Sequence, residues 1–279
     1  YDPARRARVV AVSRMVARHV REFEGVSDDR IHVVPNAIDP SRVQVDHPGA
    51  LRCAFRNRIG LEPGDLVGLF VGHNYALKGL GPLIRGLAER KRRTPDARPI
   101  RVLVCGGGRP GKYRRLAARL GVGEYVHFLG FHDDVRECYW SSDFFVSPTY
   151  YDPCSLVVLE ALACGLPAVT TACNGASELM THGRHGFVLP APDARDELVA
   201  AFDALADDDR RRAMSAEAAA LGRAWTFDHH VDALVKVFQK VADAKSKTRS
   251  KAKSKATEDA KPRGPHAVAP RVGRKSRRG

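Results

Sequence analysis

The stretch Ser147-Pro-Thr-Tyr-Tyr-Asp-Pro-Cys-Ser-Leu-Val-Val-Leu-Glu-Ala-Leu-Ala-Cys-Gly-Leu-Pro-Ala-Val-Thr-Thr171 sets two acids on a strand–helix–strand frame. Asp152 falls in a polar turn, and Glu160 follows eight residues later inside an otherwise apolar run. A carboxylate in such a helix is costly unless a donor meets it. Strand-like segments flank the helix, Asp143 to Ser147 before it and Leu166 to Thr170 after it. In an open parallel sheet, ligands sit beyond the carboxyl ends of the strands, where the next helices begin. Both acids are therefore expected to face one hydroxyl-rich ligand.

Eight helical residues span roughly 12 Å, about the reach from the hexose of a nucleotide sugar to its ribose. The helix starts between the acids, where free amides of Ser155, Leu156 and Val157 would face a diphosphate. Carboxylates repel phosphates and accept from hydroxyls, so each acid belongs at one sugar end. Spacing alone also fits a capping aspartate and a glutamate paired with a neighbouring arginine.

This segment resembles the donor-site signature of family-4 retaining glycosyltransferases, enzymes with two facing Rossmann-like domains (the GT-B fold). The chain keeps the family's Glu160, Gly165, Leu166 and Pro167, with the shorter Asp152 where the family carries a first glutamate. The resemblance continues at Val34-Pro-Asn-Ala-Ile-Asp39, the link between domains, and at Phe70-Val-Gly-His-Asn-Tyr-Ala-Leu-Lys-Gly79, the phosphate-binding turn. It also takes in Gly175-Ala-Ser-Glu178, a loop near the donor, and runs from about residue 8 to 242. Among subgroups, the lipopolysaccharide-core glucosyltransferases are nearest. The resemblance implies transfer of a hexose from a UDP-sugar to a glycan or lipid-linked acceptor, with retention and without a metal or other cofactor. It assigns Lys78 to the diphosphate, Asp152 to the hexose and Glu160 to the ribose.

The turn from Gly72 to Gly79 joins a strand to a helix, so its backbone can approach a phosphate closely. His73, Asn74 and Tyr75 stand where the family usually has a second cation. Cys105-Gly-Gly-Gly-Arg-Pro-Gly111 contains a literal Gly-x-Gly-x-x-Gly. That dinucleotide fingerprint closes the first strand of its domain and needs an acid at the end of the next. Here an earlier strand–helix unit precedes it and the next strand ends Phe128-Leu-Gly130. By resemblance, Gly106 instead lines the donor cleft, and Phe131 or His132 flanks the nucleobase; a plain surface turn at 130–135 is the other reading. The histidine pairs His182/His185 and His229/His230 read as ordinary surface residues.

The chain has 279 residues, 44% of them hydrophobic, enough for a sizeable core. Its net charge of +14 is unevenly placed: residues 245–279 hold thirteen Lys or Arg and two acids, leaving +3 for residues 1–244. That tail lacks large apolar residues and is expected to be disordered. Lys245 to Arg278 suits peripheral contact with an anionic membrane, sequence-independent nucleic-acid contact, the less favoured partner, or a merely solvated extension. Six cysteines without a Cys-x-x-Cys pair argue against a disulfide framework or zinc site and for a cytoplasmic setting; contact of the basic tail with lipid would make that setting peripheral at the inner membrane. No run of eighteen apolar residues is present.

Alternating strand and helix patterns run from residue 66 to 189, which predicts an α/β parallel sheet with helices on both faces. The expected division is residues 1–39 as a remnant of an acceptor domain plus link, 40–226 as a Rossmann-like donor domain, 227–244 as a crossover helix, and 245–279 as the tail. This is the C-terminal, donor-binding half of a GT-B fold, in a chain expected to lack most of its acceptor domain. The alternative from another class is a non-catalytic nucleotide- or anion-binding protein attached to nucleic acid or membrane by its tail.

Overall fold

The computed structural model describes residues 7–259. Six parallel strands form the sheet: β3 (Leu66–Val71), β4 (Ile100–Cys105), β5 (Val126–Gly130), β6 (Phe144–Ser147), β7 (Ala168–Thr171) and β8 (Gly186–Leu189). Their spatial order is β5-β4-β3-β6-β7-β8. The chain therefore winds outward from β3 through β5, then returns to β3's other side and winds outward through β8. The reversal between β3 and β6 opens a crevice at their carboxyl ends, the usual ligand site of a doubly wound sheet. A separate two-stranded parallel pair, β1 (Val9–Ala11) and β2 (Ile31–Val33), precedes it.

The central strands are apolar on both faces, as sheets covered by helices on both sides require. Leu66, Val67, Leu69 and Phe70 of β3 are fully buried. One core layer gathers Phe70, Leu83, Ile84, Val104, Phe144 and Phe202 under α3 (Leu80–Arg93), α4 (Gly111–Arg119) and α7 (Arg195–Ala206). The other gathers Phe55, Leu103, Tyr139, Phe145, Val158 and Leu162 under α2 (Pro48–Arg58), α5 (Val135–Trp140) and α6 (Leu156–Ala163). α8 (Asp208–Ala224) packs on α6. Asp143, just before β6, fixes the rear of this layer. Its carboxylate accepts from Arg52 at 2.5 Å, Arg56 at 3.0 Å and the Val67 amide at 2.7 Å. Burial lowers the Arg56 pKa, and the Asp143 charge opposes that shift.

Residues up to Val235 form one unit and residues from Lys236 a second. The first unit takes in residues 7–39. Asn36 donates to the Cys154 carbonyl at 2.9 Å, and Trp225 donates to the Asn36 carbonyl at 2.9 Å. The six cysteines are free thiols, with Cys105 and Cys138 Sγ atoms 3.2 Å apart in the core.

The last helix departs from expectation. α9 runs Phe227–Asp259, beyond residue 242 and into the segment 245–279 taken as disordered. No Gly or Pro occurs between Phe227 and Asp259, and Ala, Lys, Glu and Arg are good helix formers, so nothing local ends the helix there. The remainder of the expected tail lies outside the described residues. At its start Phe227, Val231 and Val235 are exposed. Among the described residues, no helix is long and apolar enough to cross a membrane.

Candidate functional site

Lys78 reaches the crevice because the loops after β3 and β6 are locked together. Asn74 shapes the first loop: its Oδ1 accepts from the Leu77 amide at 3.1 Å and its carbonyl from the Lys78 amide at 2.9 Å. Gly79 then turns into α3 with φ 81°, where an added Cβ would lie 1.9 Å from the Pro148 carbonyl oxygen. The Leu77 carbonyl accepts from the Tyr150 amide at 2.8 Å and from Thr149 Oγ1 at 3.0 Å. So held, Lys78 Nζ donates to Asp152 Oδ2 at 2.5 Å. The two side chains are 23% and 11% exposed, enough to remain within reach of a ligand.

Lys78 and Asp152 thus pair directly. In the free protein each neutralises the other. The turn also differs from an open ring of amides: Gly72 donates to the Cys105 carbonyl, and the Lys78 and Gly79 amides close internal turns. Its chief offering to an anion is the Lys78 ammonium.

The start of α6 is built by Asn174, which is 1% exposed. Its Oδ1 accepts from the Ser155 amide at 3.3 Å and the Ala176 amide at 3.0 Å, and its Nδ2 donates to Thr170 Oγ1 at 3.0 Å. The same loop holds Asp152, whose amide donates to the Cys173 carbonyl and whose carbonyl accepts from the Gly175 amide. Of the three amides expected to face a diphosphate, Ser155's is thus engaged. Leu156 and Val157 remain as first-turn donors with the positive end of the helix dipole.

Glu160 sits on α6 with Oε2 accepting from Tyr139 Oη at 2.7 Å. Burial, reinforced by the Glu160 charge, pushes the Tyr139 phenol far above its ordinary pKa, so it stays a donor. Burial and the same carboxylate push the Cys164 thiol up to about 12. The helical carboxylate is therefore held by a phenol, not by an arginine, and the alternative of a simple Glu–Arg pair falls.

Glycines floor the crevice. A Cβ at Gly106, whose φ is 127°, would lie 2.1 Å from the Gly72 carbonyl oxygen. The Gly106 amide donates to the Gly130 carbonyl at 2.7 Å, and Tyr75 Oη donates to the Gly106 carbonyl at 2.8 Å. His73 Nδ1 accepts from the Gly107 amide at 3.2 Å. Beyond β5, Phe131 is 71% exposed and open to a ring. His132 is otherwise occupied: Nε2 lies 2.9 Å from Glu137 Oε2, and its ring meets Phe55 edge-on. Among the described residues, no group of three or more His, Cys, Asp or Glu is placed to hold a metal ion.

Tyr139, Asn174 and Glu178 carry roles that sequence reading missed or misplaced. Glu178 faces helix α1 (Arg14–Glu24): its two oxygens accept from the Arg14 and Met15 amides, each at 2.7 Å. Ser13 Oγ takes the Val16 amide at 3.1 Å. Ser13 caps from the residue before the helix, whereas the glutamate completing the cap comes from far along the chain.

A family profile described as glycosyl transferases group 1 matches residues 65–208, and one described as glycosyltransferase family 4 matches residues 4–42. The chain is 34% identical over 239 residues to a D-inositol 3-phosphate glycosyltransferase of Nocardia farcinica, covering 83% of this chain and 52% of that protein. A protein of the same description from Rhodococcus jostii is 29% identical over 255 residues, 85% of this chain and 56% of its own. The chain thus spans about half the length of these curated relatives. Among solved structures, WaaG, a glycosyltransferase involved in lipopolysaccharide biosynthesis, superposes with TM-score 0.69 at 25% identity, covering 80% of this chain and 60% of that one. Anabaena HepE in complex with UDP-glucose superposes with TM-score 0.71 at 20% identity, covering 86% and 65%.

Proposed function

The chain belongs to the group 1 glycosyltransferases of GT-B fold, and we propose that its crevice holds a UDP-hexose, glucose first, for transfer with retention to a glycan or lipid-linked acceptor such as lipopolysaccharide core. One observation carries this: the Lys78–Asp152 pair stands at the β3/β6 reversal, eight residues before a helical carboxylate fixed by Tyr139. A diphosphate arriving there competes with Asp152 for the Lys78 ammonium. The released carboxylate accepts from hexose hydroxyls, and Glu160 accepts from the ribose. The acceptor hydroxyl oxygen bonds to sugar C1 on the face that UDP leaves. As the bond from C1 to the diphosphate oxygen breaks, its electron pair leaves with UDP, whose oxygen takes the hydroxyl proton. Lys78 and the Leu156 and Val157 amides stabilise that growing negative charge. Phe131 offers a face to the uracil, and no metal is required. The likeness to WaaG supports the lipopolysaccharide acceptor, and the basic segment from Lys245 suits an approach to an anionic membrane surface. The relatives described as D-inositol 3-phosphate glycosyltransferases favour a second reading, a phosphorylated cyclitol acceptor.

Calorimetry with UDP, ADP and GDP in the presence of a chelator tests the donor. UDP binding that survives chelation, with weaker ADP and GDP binding, is expected. Binding that requires magnesium or manganese contradicts the proposal, as does preference for a purine. The anomeric configuration of any transferred hexose, read by NMR, tests retention.

A further inference from the structure

Several arginines on this side of the sheet and elsewhere pair with carboxylates: Arg90 with Asp203, Arg93 with Glu89 and Asp196, Arg98 with Asp208, Arg184 with Glu217. Helix α4, Gly-Lys-Tyr-Arg-Arg-Leu-Ala-Ala-Arg, contains no acid at all. Among the described residues, no carboxylate forms an ion pair with Lys112, Arg115 or Arg119 of α4, nor with Arg85 of α3 or Arg109 before α4.

Arg85, Arg109, Lys112 and Arg119 border two adjoining hollows. One part, about 390 Å³, is lined by His73, Asn74, Arg109 and Lys112. The other, about 420 Å³, is lined by Arg85, Lys112, Arg119 and Tyr150. Ala76, Lys112 and Tyr113 belong to both. Lys112 and Arg119 stand seven residues apart on one helix face, roughly 10 Å along the axis. Guanidinium groups bind phosphate oxygens in pairs, whereas an unpaired exposed cluster of this density otherwise repels itself. Leu116 and the exposed Tyr150 ring give the carbon body of an ester something to lie against. The hollow is bordered by the same turn that carries Lys78, and Tyr150 precedes Asp152 by two residues.

We infer that the α3–α4 groove is a second anion site, which binds a phosphate ester, as a lipid headgroup or a soluble phosphate, separately from the sugar donor. A ligand seated there lies one loop away from Asp152, in position to bring a phosphate-bearing molecule to the mouth of the crevice.

The full chain is compared with the triple variant Arg85→Gln, Lys112→Gln, Arg119→Gln and with the control triple Arg92→Gln, Arg184→Gln, Arg212→Gln. Both triples have the same net charge, so general attraction through the basic C-terminal segment cancels. The probes are phosphatidylglycerol vesicles, by cosedimentation, and glycerol 3-phosphate, by calorimetry. At about 1 kcal/mol per basic residue, the groove triple loses vesicle binding by about a hundredfold relative to the control. UDP affinity stays the same in all three proteins, which keeps this result independent of the donor assignment. Loss with vesicles alone identifies a membrane source, and loss with glycerol 3-phosphate as well identifies the ester itself. Equal behaviour of the two triples, or no binding of either probe, overturns the inference. So does a fall in UDP affinity confined to the groove triple, which would merge the groove with the donor site. Lys112→Gln alone, on an exposed helical surface, preserves the comparison should the triple melt early.

Discussion

Replacing Tyr139 by Phe removes one atom from the site and leaves its packing intact. Tyr139 is fully buried, so no water replaces the lost donor, and the ring still fills its volume. What disappears is the 2.7 Å hydrogen bond to Glu160. A hydrogen bond to a charged group is worth about 1.5–3 kcal/mol. For a unit of this size, 1 kcal/mol moves the melting temperature by about 2–4 °C, so a loss of about 2 kcal/mol lowers it by about 4–8 °C. Glu160, no longer fixed, should also hold ribose less well, and UDP affinity measured by calorimetry should fall several-fold. A variant that melts with the parent refutes the hydrogen bond. A destabilised variant with full UDP affinity refutes the link between the placement of Glu160 and nucleotide binding.

Glu160→Gln should weaken UDP binding by about tenfold or more in the same calorimetric assay, as a charged acceptor becomes neutral. Asp152→Asn releases Lys78 and should leave UDP binding equal or tighter while weakening UDP-glucose; parallel losses for both ligands would reject the division between the acids. Gly79→Ala should lower both stability and UDP affinity, because its Cβ would strike the Pro148 carbonyl at 1.9 Å and push Lys78 away. Burial lowers the pKa of both His127 and His185 from the ordinary 6.5. Below that value the unfolded chain takes up protons that the folded chain resists, so the melting temperature should fall from about pH 7.5 to about 5.5. His127→Asn should flatten that slope, and an unchanged slope would remove His127 from the explanation.

Local pattern made the frame readable. The apolar run Leu66 to Val71 could only be a covered strand, and the helix Arg14–Glu24 has a capping serine before it and a glycine after it. The site was half legible for the same reason. Lys78, Asp152 and Glu160 sit in loops and a helix start whose place at the strand ends follows from the alternation. Their partners were not legible, because each contact crosses the fold. Tyr139 meets a glutamate twenty-one residues away, and Glu178 caps a helix 164 residues away. His132 looked available beside the nucleobase until α5 brought Glu137 to it. The long α9 was misjudged by a different route. Low apolar content argued against packing, but no Gly or Pro interrupts the segment and its Ala, Lys, Glu and Arg are good helix formers that continue a helix already begun.

The most direct measurement is a crystal structure of this chain with UDP-glucose bound. The diphosphate should lie between Lys78 Nζ and the Leu156 and Val157 amides, with ribose hydroxyls on Glu160 and the hexose on Asp152. Asp152 should have given up Lys78 to the phosphate. Nucleotide density elsewhere, or a donor bound in the crevice with the Lys78–Asp152 pair intact and Glu160 untouched, would contradict the account.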